Sequence, residues 1–270
     1  MAKLVGICNL SPESFSDGDG TQIALQTRIE NLIADGADII DLWAVSTAPD
    51  APMISEDEEL SRLQEAISFI RKFPDTVFSL DTTRASVARI GIAHGVSMIN
   101  DVSWWRADPA MYALIAETGV QYVLMYCKNV SGRADKEPII YPQGIVAHVI
   151  DFFHTQIALA EKAWVKREQI ILDPWMGAFV SHDPMDSIRL LQAIPEIKKE
   201  FDLPVYICTS RKGFLGKLSQ DQWPADRLGS SLASSHYAIQ QGADYIRIHD
   251  VRWMRQVVDV IETIQGPLHS

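Results

Sequence analysis

The 270 residues contain only three cysteines, and Cys8, Cys127 and Cys208 show no C-x-x-C or C-x-x-H spacing. That argues against a zinc site. Each lies in or at the end of a strand-like run, where a small buried hydrophobe is the expected role, and the count fits a reducing compartment. No apolar run approaches the ~20 residues of a membrane span. The first residues run straight into Leu4-Val5-Gly6-Ile7-Cys8, without the charged region and apolar core of a secretory signal. A cytoplasmic protein with no membrane partner is expected. Cations are scarce too: 24 Lys and Arg stand against 35 Asp and Glu, a formal net charge of −11. Nothing supplies the broad cationic face that nucleic-acid binding needs, so no nucleic-acid partner is expected. An anionic substrate must therefore meet a local positive site, which singles out Arg211, Lys212 and Arg247.

What the chain does have is alternation. Hydrophobic residues at 47% and charged residues at 22% suit a globular protein. Short apolar runs at 4–10, 38–43, 77–81, 97–102, 121–126, 169–173, 204–209 and 245–250 read as strands. Helix-like patterns occupy 21–34, 56–71, 84–94, 109–117, 144–163, 184–200, 225–241 and 252–264. In 184–200, Met185, Ile188, Leu191, Ile194 and Ile197 recur at three-residue steps. Asp57, Glu58 and Glu59 suit the N-terminal dipole end of the second helix. Gly36, Gly95, Gly119 and Gly242 fall where helices should stop. Eight strand–helix units in this length predict an α/β fold, a (β/α)₈ TIM barrel forming one domain over 1–270. The runner-up, an open doubly wound sheet, should carry a glycine-rich phosphate loop after its first strand. Residues 9–20 show neither G-x-G-x-x-G nor G-x-x-x-x-G-K. Residues 127–143, polar and proline-containing, read as a flap over one barrel end.

Ligands of such barrels sit at the C-terminal ends of the strands. Those ends carry Asn9, Asp41, Asp81, Asn100 with Asp101, Tyr126, Asp173, Ser210 to Lys212, and Arg247 with His249. Any one of them alone reads as a cap or turn residue. Their convergence on one rim is harder to explain that way. Asp41, Asp81 and Asp173 would be costly to desolvate without partners, which a ligand rich in N–H donors supplies. Lys212, Arg247 and His249 are placed to receive a leaving anion. Ser210-Arg211-Lys212-Gly213 is the most telling segment, with a hydroxyl, two cations and a glycine following one strand.

The stretch Gly6-Ile7-Cys8-Asn9-Leu10-Ser11-Pro12-Glu13-Ser14-Phe15-Ser16-Asp17-Gly18 resembles the first pattern of the dihydropteroate synthases, folate-pathway enzymes that join a pterin to p-aminobenzoate. The likeness continues through Asp38-Ile39-Ile40-Asp41, Ser79-Leu80-Asp81-Thr82, Ile99-Asn100-Asp101-Val102, Ile171-Leu172-Asp173-Pro174, Thr209-Ser210-Arg211-Lys212 and Ile246-Arg247-Ile248-His249-Asp250. It spans essentially the whole chain. The resemblance implies that Asp81, Asn100, Asp173 and Lys212 hold the dihydropterin. It implies that Asn9, Arg247 and His249 take its pyrophosphate, with Asn9 also a ligand of a magnesium cofactor. It implies that Thr47, Pro49, Phe179, Ser210 and Lys212 surround p-aminobenzoate. Lys212, Arg247, His249 and Asp81 are then the catalytic set, and a homodimer through the last helices is implied. Loss of pyrophosphate would leave a pterin-methylene cation for the arylamine to attack, so positioning and leaving-group stabilisation dominate.

The departures from the family pattern are specific. Its Ser-Thr-Arg-Pro-Gly loop is Ser46-Thr47-Ala48-Pro49-Asp50 here, so a guanidinium expected near pyrophosphate is absent. Its usual Gly-Phe-Gly-Phe-Gly-Lys run is Trp175-Met176-Gly177-Ala178-Phe179-Val180, and Tyr126 stands where His is common. Both loops are similar to those of the mobile sulfonamide-insensitive dihydropteroate synthases. Two alternatives keep part of the pattern: a non-catalytic pterin-binding paralogue, and a reduced-pterin-binding methyltransferase domain. The latter has no need of a cationic set aimed at pyrophosphate.

Overall fold

A computed structural model of the chain describes residues 2–10, 16–17, 21–22, 25–45, 54–128, 139–221 and 223–266. Eight parallel strands carry the fold: β1 (Lys3–Asn9), β2 (Ile39–Trp43), β3 (Val77–Asp81), β4 (Met98–Asp101), β5 (Gln121–Met125), β6 (Ile170–Asp173), β7 (Tyr206–Ile207) and β8 (Tyr245–Ile248). β1 lies between β2 and β8, β2 to β6 follow in chain order, and β7 pairs with β8. A bridge between Leu172 and Val205, with a 2.9 Å bond from the Leu172 N–H to the Pro204 carbonyl, joins β6 to β7. The ring closes, and the expected TIM barrel is the fold.

Most elements lie within a few residues of where the sequence pattern puts them, and the exceptions have local causes. The pattern 184–200 is two helices, Pro184–Gln192 and Ile194–Phe201. Pro195 lies in the first turn of the second, where its missing N–H costs nothing, whereas inside one continuous helix it would break the ladder. Met185, expected on the apolar face, is instead 44% exposed, and the first helix buries Ser187, Leu190 and Leu191. The first helix begins at Leu25, preceded by a two-residue antiparallel pair, Ser16–Asp17 with Thr21–Gln22. A helix over Gly213–Ser219 was not foreseen because Gly213 and Gly216 depress its propensity. Gly216 is dictated by packing, since a Cβ there would lie 2.5 Å from both Arg227 Nε and the Asp221 carbonyl oxygen. The four glycines expected to stop helices all have positive φ. Ser55 caps Glu56–Ile70 by accepting from the Glu58 N–H, and its first turn is acidic as expected.

The pleat sorts side chains into two environments. One face of each strand packs against the helices, with Leu4, Ile40, Leu42, Phe78, Leu80, Ile99, Leu124 and Leu172 all sealed from solvent. The other faces the lumen, whose lower part is filled by Val5, Ile39, Met98, Val123, Ile171 and Tyr206. Stepping by two towards the strand ends from that layer reaches Asn9, Asp41, Trp43, Asn100, Asp173 and Cys208. The lumen therefore has an apolar floor and a polar top. Among the described residues no helix is long and apolar enough to cross a membrane. Cys8, Cys127 and Cys208 are buried, as expected, and burial pushes the Cys8 thiol up to about 12.

Candidate active site

Arg247 stands at the centre of the polar top, 4% exposed. Its Nε donates to Asp41 Oδ2 at 2.7 Å and its Nη2 to Asp81 Oδ2 at 3.3 Å. The guanidinium also lies 5.3 Å from the centre of the Trp43 ring. Burial opposes its charge, but Asp41 and Asp81 more than offset that and hold it well above the usual arginine range. Burial raises the Asp81 carboxyl in spite of Arg247, with Asp41 and Asp101 adding to the rise.

Around this triad several buried polar atoms have no hydrogen-bond partner among the described residues. They include Asn9 Oδ1, Asp41 Oδ1, Ser79 Oγ, both ends of the Asn100 amide, and Asp173 Oδ2. Buried polar groups are ordinarily satisfied, so a concentration of exceptions in one lumen marks a place built for a polar ligand. Among the described residues the Asp173 carboxylate accepts at Oδ1 alone, from the Trp175 N–H at 2.8 Å. Burial pushes its carboxyl up to about 7, with Lys212 and that N–H pulling the other way. Burial draws the Lys212 ammonium down to about 8. Lys212 Nζ sits 3.0 Å from the Trp175 ring centroid and donates to the Met176 carbonyl at 3.2 Å.

The two cations after β7 part company. Arg211 has φ of +57° and turns aside to grip Asp250 through Nε at 3.1 Å and Nη2 at 2.6 Å. Only Lys212 faces Asp173. Ser210 Oγ lies 2.9 Å from His249 Nδ1 and accepts from the His249 N–H at 3.2 Å. Burial, reinforced by Arg211 and Arg247, pulls the His249 imidazole down to about 3. With the lumen as described, the imidazole near neutral pH is an uncharged hydrogen-bonding group.

The pattern of the pterin binding enzymes matches residues 5–249. Over 267 residues the chain is 37% identical to the dihydropteroate synthase type-3 of Escherichia coli, covering 98% of this chain and 100% of that one. The chain belongs to the dihydropteroate synthases. A family member from Synechocystis is 35% identical over 265 residues, covering 97% of this chain and 89% of its own. The Xanthomonas albilineans dihydropteroate synthase with 4-aminobenzoic acid superposes with a TM-score of 0.89 at 30% identity, covering 98% of this chain and 94% of that chain. The structure of that enzyme with 7,8-dihydropteroate gives 0.84 at 29% identity, with the same coverage.

Of the residues expected in the site, Asn9, Asp41, Asp81, Asn100, Asp173, Ser210, Lys212, Arg247 and His249 lie at one end of the barrel. Two rim candidates do not belong there. Asp101 points outward, where its carboxylate accepts from Ser103 N and Oγ, Trp105 N and Tyr122 Oη at 2.7–2.9 Å. Tyr126 also points outward, its hydroxyl 3.1 Å from Tyr141 Oη and its ring edge-on to Phe152. Phe179 is buried against Trp175, centroids 5.1 Å apart and planes at 75°. Thr47 and Pro49 lie outside the described residues, as does most of the expected flap. Missed were Trp43 and Ser79, each two residues from a chosen Asp on the same strand face, which counting by two would have found. Trp175 was noted as a departure but not placed in the site. It adopts φ of +53°, which sequence does not betray for a bulky residue.

Proposed function

We propose that the lumen carries out the family's condensation, joining 6-hydroxymethyl-7,8-dihydropterin pyrophosphate and p-aminobenzoate to give 7,8-dihydropteroate and pyrophosphate. The observation carrying this reading is that Asn100 and Asp173 are both fully buried on the lumen side of their strands, with the whole Asn100 amide and Asp173 Oδ2 left without a partner among the described residues. A pterin edge presents ring and exocyclic N–H donors together with acceptors. The Asp173 carboxylate accepts from the donors, and the Asn100 amide pairs with one of each. Donors arriving at Asp173 favour its charged form and draw its pKa back down from about 7. Lys212 donates to the pterin and stands between it and p-aminobenzoate, which Ser210, Phe179, Thr47 and Pro49 surround.

In the reaction the methylene C–O bond breaks and pyrophosphate leaves with the electron pair. The arylamine nitrogen then bonds to the methylene carbon and loses a proton to solvent. No side chain is required as nucleophile. Arg247, held in place by Asp41 and Asp81, offers its remaining guanidinium N–H donors to the departing pyrophosphate, and His249 donates a hydrogen bond without needing to be charged. Magnesium suits Asn9, whose buried Oδ1 has no partner among the described residues. Magnesium commonly keeps few protein ligands and is held largely by phosphate oxygens, so a single side-chain ligand such as Asn9 would suffice. When bound, it would neutralise phosphate charge.

A homodimer is supported by the last helix, Val251–Gln265, where Trp253, Val260 and Ile264 share a face and are 48%, 57% and 69% exposed. The test of function is an assay of pyrophosphate release with and without p-aminobenzoate. Release coupled to dihydropteroate formation supports the reading, and pterin binding without turnover indicates a non-catalytic paralogue.

A further inference from the structure

We propose that Trp175 is a positioning residue for Lys212: its indole face seats the ammonium and keeps it off Asp173, so that an Asp173 oxygen stays available to the pterin. The inference rests on the reading of Asp173 and Lys212 as pterin-site residues. Asp173 and Lys212 are close enough for each to feel the other's charge. Yet no ion pair joins them within 4.0 Å, and Asp173 Oδ2 has no hydrogen-bond partner among the described residues. Two opposite charges in a buried lumen would be expected to collapse together. Something holds them apart.

The turn after β6 accounts for it. The Trp175 N–H is tied to Asp173 Oδ1 at 2.8 Å, and at φ of +53° its ring lies over Lys212, with Nζ 3.0 Å from the centroid. Met176 adds a carbonyl at 3.2 Å. A Cβ on Gly177 would be 3.8 Å from Lys212 Cδ, so the turn already lies against the lysine stem. Phe179 braces the indole with an edge-on contact. A buried tryptophan usually finds a partner for its N–H, but Trp175 Nε1 has none among the described residues. The ring is thus placed by its face, which is the part that attracts a cation. The charged or titratable groups facing Lys212 are Asp173 from β6, Cys208 just after β7 and Arg247 from β8. Arg247 repels the ammonium and Asp173 draws it, so without the ring the stable place for Nζ is on Asp173 Oδ2. There it would compete with the pterin.

A double-mutant cycle read by calorimetry with 6-hydroxymethyl-7,8-dihydropterin pyrophosphate tests this. Trp175→Leu keeps an apolar side chain and removes the π face. It is expected to weaken binding about tenfold or more in the wild-type background, and by less than about threefold in a Lys212→Ala background. Trp175→Phe, which keeps a face, should stay within about threefold of wild type. Equal losses in the two backgrounds would make Trp175 a packing residue and overturn the inference, as would Trp175→Phe binding as poorly as Trp175→Leu. If circular dichroism shows that Trp175→Leu does not fold, Trp175→Met takes its place in the same cycle. Failure of the unaltered protein to bind the pterin would instead overturn the site reading, and this inference with it.

Discussion

Arg247 donates to Asp41 at 2.7 Å, joining β8 to β2 across 206 positions of sequence. This bond and the weaker one to Asp81 fix a buried guanidinium at the centre of the lumen's polar top, as counterion to two carboxylates. Arg247→Ala would leave two carboxylates buried without a counterion, at a cost of about 3–5 kcal/mol of stability at pH 7.5. Asp81 already has its folded-state pKa raised, chiefly by burial. A carboxyl raised on folding contributes stability below that pKa and loses it as pH rises. The deficit of Arg247→Ala should therefore be smaller at pH 5 than at pH 7.5, as read by urea denaturation. An equal deficit at both would show that the carboxylates are not the cause.

Asp173 and Lys212 set the expected pH profile. Asp173 must be ionised to accept pterin N–H groups, and burial holds it up at about 7. Lys212 must be protonated to donate, and burial holds it down at about 8. The kcat/KM for the pterin substrate should fall on the acid side as Asp173 takes a proton and on the alkaline side as Lys212 loses one, giving a narrow bell. A profile flat from pH 6 to about 9.5 would remove both residues from the binding step.

Asp173→Asn should weaken pterin binding by about 10- to 150-fold, since one charged acceptor becomes a donor facing donors. Stability should move the other way. The ionised carboxylate is disfavoured in the folded state, so from its unfolded value up to about 7 it detracts increasingly as pH rises. The melting temperature of Asp173→Asn relative to the parent should be higher at pH 8 than at pH 4.5. A pH-independent difference would mean that Asp173 is not desolvated as described.

Lys212→Ala should abolish most turnover while the protein stays folded. Lys212 is not a solvated loop charge; it lies under the Trp175 ring, and removing a partly desolvated ammonium relieves a burial penalty even as it loses packing. Near-normal turnover by the folded variant would remove Lys212 from the centre of the site.

Sulfonamides mimic p-aminobenzoate but carry a bulkier group beyond its carboxylate. This chain replaces the usual loop-two Arg with Ala48 and buries Phe179 against Trp175. Steric exclusion at an altered pocket costs a ligand about 1–3 kcal/mol. Sulfonamide inhibition constants should be about 5- to 150-fold higher than for a family member with the unaltered loops, at similar p-aminobenzoate KM. Equal constants under matched conditions would reject this.

The barrel was legible because eight apolar runs alternate with helical periods, four of which stop at Gly36, Gly95, Gly119 and Gly242, all with positive φ. The site's location was legible because its carboxylates and cations stand at strand ends. The direction each side chain faces was not, and depends on pleat register: Asn100 faces the lumen while its neighbour Asp101 faces outward to secure Ser103 and Trp105. Charge state was equally hidden. His249 reads as a cation beside acidic residues in sequence, but burial and two arginines make it neutral. Trp175 reads as a loop substitution, and only its left-handed backbone puts the indole over Lys212.

Whether Asn100 and Asp173 hold the pterin in the lumen is decided by a crystal structure with 7,8-dihydropteroate bound. The predicted result is a pterin edge within hydrogen-bond distance of Asp173 Oδ2 and the Asn100 amide, with Lys212 Nζ beside it. A pterin bound away from both residues, or at the opposite end of the barrel, would contradict the account.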